Sequence, residues 1–410
     1  MLNIIWSAFF ILGFMGACVQ GFWLGNPQIW TEIVNQLFST ATNAFQLALN
    51  LTGMLCLWLG LLKIAEKSGL TEILAKALKP LFRVIMPEVP ENSPAIGSIV
   101  MNMAANILGL DNAATPMGLK AMEQLQEINP KKEQASNAQI MFIVINASAI
   151  TVLPISILMY RSLQGSLNPS AVFIPILLAT SCSTIAGFLA VAFTQKLKIF
   201  NRTILMFLLG LFVVVGGIAW YFSTLDISTR LKHSETFGNA LILGFITLFL
   251  VFGAVKKLNL YETFITGAKE GFQIAVQIIP YLVAMLAAIA VLRYSGVLDG
   301  VVWCFEKFFA LLGFNTDFIP ALPTALMKPL SGNGARAMMI ETMQNYGADS
   351  FPAFVSSVVQ GSTETTFYVI ALYFGAVKIS QTRSALPCAL FADLIGIIAA
   401  IILSYVFYQE

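Results

Sequence analysis

Long apolar runs, separated by short polar stretches, dominate the hydrophobic pattern of this chain. A helix needs about 20 mainly apolar residues to cross a bilayer, and nine stretches meet or approach that length. They comprise residues 3–24, 44–62, 140–160, 172–193, 203–222, 240–255, 272–291, 354–374 and 386–407. The pattern therefore predicts an all-α polytopic membrane protein with about nine transmembrane helices, of which residues 240–255 form the shortest.

Two further apolar segments, residues 94–122 and 318–343, are interrupted by polar residues, glycine and proline. The interruptions are Asn102, Asn106, Gly109, Asp111, Asn112 and Pro116 in the first segment, and Pro329, Gly332, Asn333, Gly334 and Arg336 in the second. Irregular backbone at membrane depth is stable only where it packs inside protein or lines a wet cavity. We therefore predict two re-entrant helical hairpins with functional tips; one kinked span for each segment is the alternative.

Short amphipathic stretches precede both hairpins. Apolar residues at helical spacing alternate with Lys and Arg over residues 73–83, and they alternate with Glu306 and Lys307 over residues 301–309. A helix with one apolar and one charged face lies along the membrane surface. Both stretches therefore predict surface helices.

The chain contains an internal repeat. A shift of 227 residues places FQLALNL, which begins at Phe45, over FQIAVQI, which begins at Phe272. With a short deletion, DNAATPMGLKAM then lies over GNGARAMMIETM, and NASAITVLP lies over QGSTETTFY. The order of elements is also the same in both halves: span, span, surface helix, hairpin, span, span. We predict a first repeat over residues 1–200, a linking span over 201–235 and a second repeat over 236–410.

Lysine and arginine positions predict that the two halves have opposite orientations, because basic loops stay on the cytoplasmic side of a membrane. Three lysines follow the first hairpin within residues 120–132, whereas no basic residue lies between residues 337 and 352 after the second. The other matched loops reverse their bias in the same way. This predicts inverted repeats with the N-terminus in the cytoplasm and the C-terminus outside, although Arg230 and Lys232 argue against it.

Composition and charge exclude several classes of protein. The chain is 58% hydrophobic and 11% charged, against about 45–50% and about 25% in soluble proteins. A net charge of +2, with basic residues spread over short loops, indicates no nucleic-acid partner. The five cysteines lie far apart in apolar runs, so we predict neither a disulfide framework nor a metal site built from them.

Enzyme signatures are largely missing from the sequence. His233 is the only histidine, and no GxxxxGK[ST] motif occurs, which excludes a His-based triad and a P-loop. We therefore predict a protein that is not an enzyme and has no cofactor. An intramembrane hydrolase that uses Asp111 with Asp393 or Glu364 is the remaining catalytic alternative.

Polar residues inside predicted spans and hairpins are the candidates for a binding site, because a charge at the bilayer centre costs roughly 3 kcal/mol unless it is paired or hydrated. The candidates are Asn106, Asp111, Asn112, Thr115, Asn146, Ser148, Thr151, Ser181, Asn333, Arg336, Gln360, Ser362, Glu364, Thr365 and Asp393. Half-helices that meet at a tip direct amides at an anion and carbonyls at a cation. Asp111 or Glu364 could ligate Na⁺ or carry a proton.

A purely structural role is the alternative for each of these residues. Serine, threonine and asparagine in spans often only hydrogen-bond neighbouring helices. The most economical structural role for Arg336 is a salt bridge to one of the acids.

The two hairpins and the spans that follow them carry a resemblance to a known family. MNMAANILGLDNAATPMGLKAM with NASAITVLP, and ALMKPLSGNGARAMMIETM with QGSTETTFYV, resemble spore maturation proteins A and B, fused in that order over nearly the whole chain. Each half also resembles the nucleoside recognition or gate domain of concentrative nucleoside transporters and ferrous iron transport protein B. The resemblance implies a bacterial inner-membrane protein from a family linked to spore core dehydration and cell-wall maturation, and it does not specify a substrate.

Taken with the polar tips, these patterns predict a secondary transporter for a small polar solute, nucleoside-like or amino-acid-like, that is coupled to Na⁺ or H⁺. The hairpins would meet near the midplane and move against a scaffold made of the first span of each half and the linking span. This scaffold could form a homodimer in the lipid bilayer. A membrane scaffold that recruits cell-wall enzymes without transport is the main alternative.

Overall fold

The computed structural model describes residues 2–90, 93–108, 111–197 and 201–408. Within these ranges the side chains of residues 2, 3, 111–113, 223, 227, 228 and 231 are not described. The described ranges form helices, turns and loops and contain no β-strand, which confirms the predicted all-α class.

The helices are numbered here in chain order. They are α1 (Leu2–Cys18), α2 (Ile29–Lys67), α3 (Leu70–Ile85), α4 (Pro94–Ile107), α5 (Asp111–Ile128), α6 (Asn137–Ala147), α7 (Ile155–Leu163), α8 (Phe173–Thr194), α9 (Arg202–Thr224), α10 (Ile227–Val255), α11 (Leu260–Tyr294), α12 (Val297–Leu311), α13 (Leu322–Met327), α14 (Gly332–Tyr346), α15 (Phe351–Ser362), α16 (Thr366–Ala376) and α17 (Ala385–Phe407).

Seven helical segments of the described chain are long and apolar enough to cross a membrane. They are Ile4–Trp23, Ile29–Lys67, Pro169–Thr194, Arg202–Phe222, Lys232–Val255, Leu260–Tyr294 and Ala385–Phe407. Each contains or largely overlaps one of the predicted spans, so the protein is a multi-pass membrane protein. The predicted surface stretches are also helical and lie within α3 and α12.

The other two predicted spans, residues 140–160 and 354–374, are not continuous helices, and in this respect the prediction was wrong. The first is broken between α6 and α7, and the second is broken between α15 and α16. The breaks fall on NASAITVLP and QGSTETTFY, where hydroxyl side chains compete for backbone hydrogen bonds and Pro154 cannot donate one. We call residues 148–154 the first break and residues 363–365 the second break.

Both predicted hairpins are present as pairs of helices. In the first, Asn102 Nδ2 donates to Ala114 O over 2.7 Å and Ser98 Oγ donates to Gln124 Oε1 over 2.7 Å, so α4 and α5 run antiparallel. In the second, a short 3₁₀ turn and α13 form the first arm, which packs against α14. The single kinked span is therefore excluded for the first hairpin. Both second arms are longer than predicted, reaching Ile128 and Tyr346.

Serine N-caps begin the arms and broken helices that form the centre of the molecule. Ser93 caps α4, Ser136 caps α6, Ser331 caps α14 and Ser350 caps α15, each by accepting a backbone N–H with its hydroxyl. Replacing such a cap by alanine typically costs about 1 kcal/mol, so these serines define where each short helix starts.

Equivalent helices of the two halves pack against each other in opposite directions. In the pair α2 and α11, Leu55 lies beside Gly271 and Leu59 lies beside Gly267. In the pair α8 and α17, Ser183 Oγ donates to Ala392 O over 3.0 Å. Antiparallel packing of equivalent elements is what inverted repeats require. The halves are also joined by an ion pair of 3.1 Å between Lys63 and Glu270.

Two arginines connect each half to the start of a broken helix in the other half. Arg161, which is only 1% exposed, donates to Ala348 O over 3.0 Å and forms an ion pair of 2.8 Å with Asp349, just before the N-cap of α15. Arg383 donates to Ala135 O over 2.9 Å, just before the N-cap of α6. Each broken helix therefore has its start held by the opposite half.

Close packing of α2 on α11 predicts that Gly267→Ala destabilises the protein. The added methyl group would lie 2.3 Å from the carbonyl oxygen of Leu59, so the helices would have to move apart. Overpacking of this kind typically costs about 1–3 kcal/mol. We expect a lower midpoint of thermal unfolding in detergent.

Gly244→Ala in α10 is the matched control, because nothing lies within 4 Å of a methyl group there. Alanine is favoured over glycine in a helix by about 1 kcal/mol, so this variant should unfold at the same or a higher temperature. Equal midpoints for the two variants would contradict the close crossing.

Candidate functional site

A cavity of about 200 Å³ lies where the two halves meet. Its walls come from α2, from the first arm of the first hairpin, from both arms of the second hairpin and from both breaks. The polar residues that line it are Asn106, Thr151, Ser156, Lys328, Arg336, Gln360, Thr363, Glu364 and Thr365. Leu55, Trp58, Leu59 and Leu62 of α2 form an apolar side.

Backbone hydrogen bonds hold the two breaks and the hairpins together around this cavity. The N–H of Val152 donates to Ile107 O over 3.1 Å, and the N–H of Phe367 donates to Pro329 O over 3.1 Å. Each hairpin tip thus accepts a backbone hydrogen bond from the broken span of its own half. Across the halves, the N–H of Glu364 donates to Ala147 O, the last residue of α6, over 2.8 Å.

Charged side chains of both signs face the cavity. Lys328 is 4% exposed and follows the last turn of α13, and Arg336 is half-buried on α14. Glu364 lies in the second break and is exposed. A ligand in this cavity would therefore meet two cationic groups and one anionic group.

Several buried polar atoms at the cavity have no hydrogen-bond partner. They are Asn106 Nδ2, Gln360 Oε1 and Thr363 Oγ1. Buried polar atoms are nearly always paired in folded proteins, so a cluster of unpaired atoms in one cavity indicates groups that a ligand or water satisfies. Together they offer a donor, an acceptor and a hydroxyl that can act as either.

Six of the fifteen residues predicted from the sequence line this cavity. They are Asn106, Thr151, Arg336, Gln360, Glu364 and Thr365. The side chains of Asp111 and Asn112 lie outside the described residues.

Seven predicted residues lie elsewhere. The hydroxyls of Ser148, Ser181 and Ser362 donate to carbonyls of their own helices, which favours the structural interpretation for these serines. Asn333 is exposed, Thr115 is half-buried on α5, Asn146 is buried against the first hairpin, and Asp393 is buried on α17; none of these lines the cavity.

Asn146 belongs to a polar network that positions the first hairpin. Its Nδ2 donates to Asn102 Oδ1 over 2.7 Å, and Asn102 Nδ2 in turn donates to Ala114 O in α5 and lies 3.5 Å from the hydroxyl of Tyr373 in α16. This network connects both arms of the hairpin to both broken helices.

Arg336 does not form the predicted salt bridge with any acid that the structure describes. Its guanidinium carbon lies 5.5 Å from the centre of the Tyr160 ring, in a cation–π arrangement. Its Nη1 also donates to Asn333 Oδ1 over 3.4 Å. Because the guanidinium has five N–H donors, most of them stay available on the cavity side.

Sequence reasoning did not select Lys328, Ser156 and Thr363, which line the cavity, and it named Asn102 only as an interruption of the first hairpin. The signal for Lys328 was a lysine between two apolar stretches at membrane depth, and the signal for Thr363 was its place inside QGSTETTFY. Within the described ranges, no group of three His, Cys, Asp or Glu side chains could hold a metal ion.

Comparison with known proteins places the cavity inside a known domain. The family described as nucleoside recognition (Gate) matches residues 48–164 and 275–380, and every residue that lines the cavity falls within these two ranges. The chain is 46% identical over 154 residues to spore maturation protein B of Bacillus subtilis strain 168, which covers 38% of this chain and 85% of that protein. It is 36% identical over 187 residues to spore maturation protein A of the same organism, which covers 46% of this chain and 92% of that protein. No solved structure matches the chain.

The geometry predicts which site residues meet water. In a variant whose five cysteines are replaced by serine, we expect Glu364→Cys and Thr151→Cys to react with a charged, membrane-impermeant thiol reagent in detergent. Ser148→Cys and Ser362→Cys are the matched controls, because both positions are 0% exposed. Mass spectrometry measures the rates, and equal rates at all four positions would rule out the cavity as described.

Proposed function

The chain belongs to the nucleoside recognition (Gate) family and unites relatives of spore maturation proteins A and B in one polypeptide, and from this premise we propose that it is a secondary transporter for a small polar solute. The observation that carries the proposal is the cavity between the halves, which is walled by a hairpin and a broken helix from each. Transporters with inverted repeats place their substrate at such a boundary, against discontinuous helices.

The charges of the cavity support a solute that is amino-acid-like in preference to one that is nucleoside-like. Lys328 and Arg336 suit a carboxylate, and Glu364 suits an ammonium group. The volume of about 200 Å³ is also below the roughly 300 Å³ at which pockets for drug-sized ligands begin. A small zwitterion satisfies both the charges and the size.

Different lining residues would bind different groups of the solute. In this proposal Arg336 and Lys328 bind the solute carboxylate, and Glu364 binds its amino group. Asn106 Nδ2 and Gln360 Oε1, which have no partner within the protein, then hydrogen-bond the solute. Since hydrogen bonds to charged groups contribute about 1.5–3 kcal/mol each, two or three suffice for micromolar to millimolar binding.

Alternating access would move the hairpins and broken helices against a scaffold of α1, α9 and α10. Most apolar side chains of α1 and α9 are exposed on the surface of the protein. These faces suit either lipid or a second copy of the chain, and we propose a homodimer through them. The inner membrane, a cytoplasmic N-terminus and an external C-terminus are part of the same proposal, which rests on the lysine and arginine pattern.

A membrane scaffold that takes part in spore or cell-wall maturation is the competing function, and the names of the relatives fit it equally well. A scaffold without transport has no need for unpaired polar atoms around a cavity between the halves. An intramembrane hydrolase is less well supported, because Glu364 is the only described acid that lines the cavity, and two carboxylates would be needed.

Ligand-dependent stability tests the proposal. We expect one class of amino acids, among a panel that also includes nucleosides and cell-wall fragments, to raise the thermal midpoint of the detergent-purified protein. A ligand at 100 times its Kd stabilises the folded state by about 2.7 kcal/mol. Arg336→Gln and Glu364→Gln should weaken binding by at least about tenfold, since each removes one charged hydrogen bond.

Glu262→Gln is the matched control, because this glutamate is exposed at the start of α11, far from the lining residues in the sequence and outside the cavity. It should bind the solute as the wild type does. Uptake of the same labelled solute into proteoliposomes then separates transport from binding. No shift with any ligand, together with no uptake, would favour the scaffold.

A further inference from the structure

Asp393 lies in α17 and is only 1% exposed, and neither of its carboxylate oxygens has a hydrogen-bond partner. The hydroxyls of Thr363 and Thr366 lie beside this carboxylate and are the hydrogen-bond donors that act on it, although neither contact reaches full hydrogen-bonding geometry. Four buried oxygen atoms of these three residues therefore lie close together at the second break.

This arrangement is electrostatically incomplete. A buried carboxylate is stable only when it is paired, hydrated or protonated. The charged groups that act on Asp393 are Lys328, which attracts it, and Glu364, which repels it, and both belong to the cavity side of the second break. Asp393 forms none of the described ion pairs.

At the equivalent place in the first half, a side-chain hydroxyl is positioned to hydrogen-bond the break. A methyl group added at Gly187 in α8 would lie 2.9 Å from Ser148 Oγ, and one added at Gly396 in α17 would lie 2.7 Å from Thr363 Cγ2. Each of these glycines therefore marks where its helix packs against the start of a break.

Three residues before Gly187 stands Thr184, and three residues before Gly396 stands Asp393. The hydroxyl of Thr184 lies within hydrogen-bond distance of Ser148 O and of Thr180 O in its own helix, so it can donate to a carbonyl that the first break releases. Asp393 takes the place of Thr184 in the second half, where an ionised carboxylate can donate nothing. The second half thus has a carboxylate and two threonine hydroxyls where the first half has a hydroxyl that donates to a backbone carbonyl.

From this comparison we propose that Asp393, Thr363 and Thr366 form a Na⁺ site behind the second break. All of the ligands are oxygen atoms, which is the preference of hard cations, and one carboxylate with neutral oxygens suits a monovalent ion. Carbonyls of an unwound segment and of the C-terminal end of a half-helix, here α15, supply the remaining ligands of such sites.

The Na⁺ site would act on the solute cavity through Thr363, which belongs to both. An ion bound to its hydroxyl fixes the conformation of the second break. This break contains Glu364 and Thr365, which line the cavity. This coupling step rests on the proposed transport function, whereas the binding of Na⁺ does not.

Thermal unfolding of the full-length protein in detergent tests the site directly. The midpoint is measured in increasing NaCl at constant ionic strength, with choline chloride as the balance and KCl as the comparison. We expect Na⁺ to raise the midpoint with a saturating dependence, and K⁺ to raise it much less. Asp393→Asn should abolish the Na⁺ effect, and its midpoint in choline should be at least as high as that of the wild type, because a buried unpaired charge is removed.

Thr366→Val leaves Asp393 in place, and valine has nearly the same size as threonine. This variant tests the site even if Asp393→Asn does not fold. It should weaken the apparent Na⁺ affinity about tenfold, the effect of losing one oxygen contact. The matched control is Thr247→Val on α10, whose hydroxyl is exposed and bonds only within its own helix. This control should keep the Na⁺ response of the wild type.

Each outcome distinguishes the site from the transport proposal. An undiminished Na⁺ response in Asp393→Asn would overturn the assignment. Stability that depends on pH and not on Na⁺ would also overturn it, because it would mean that Asp393 takes up a proton instead. A Na⁺ response that Asp393→Asn removes, with no solute found by binding or uptake, would leave the ion site standing and remove the proposed transport function.

Discussion

Backbone amides and carbonyls of a membrane protein need hydrogen-bond partners within the protein wherever they are not in contact with water, because lipid hydrocarbon supplies none. Two broken helices release such groups at the centre of this protein, and the hairpin tips take them up through Val152 to Ile107 and Phe367 to Pro329. The contact of Glu364 with Ala147 joins the two breaks to each other. The hairpins, the breaks and the cavity are therefore one structure, in which no part can be removed without leaving unpaired groups in the others.

Near symmetry of the halves gives this centre its form, and departures from symmetry give it its chemistry. Each half has a hairpin and a break, and α2 and α8 of the first half pair antiparallel with α11 and α17 of the second. The described charges that line the cavity, Lys328, Arg336 and Glu364, all belong to the second half, and Asp393 lies beside the second break. The first half meets the same positions with neutral amides and hydroxyls, such as those of Asn106 and Thr151. The first half thus contributes neutral residues to the cavity, and the second half contributes the described charged residues.

Much of this fold could be predicted from the sequence because hydrophobic length and turn residues act locally. The seven full spans, the hairpins and the surface helices each leave a continuous pattern in the chain. The breaks at residues 148–154 and 363–365 do not, because threonine and serine are compatible with an apolar helix and only the partner at Ile107 or Pro329 makes unwinding stable. The candidate site shows the same difference. Arg336 and Glu364 could be predicted because they are charged residues in apolar stretches. The roles of Ser148, which hydrogen-bonds Val144 O of α6, and of Thr363, which lines the cavity, depend on the folded structure. The family resemblance indicated the domain, and it said nothing about which residues line the cavity.

The cavity takes walls from both halves, so a single half encloses no site of its own. Joining the halves in one polypeptide sets their ratio at one to one and makes their meeting an intramolecular event, at an effective concentration of millimolar order or above for short connections. Assembly of the site then no longer depends on how much protein the membrane contains. A copy of this chain that is diluted among lipids can complete the same cavity as one in a crowded membrane.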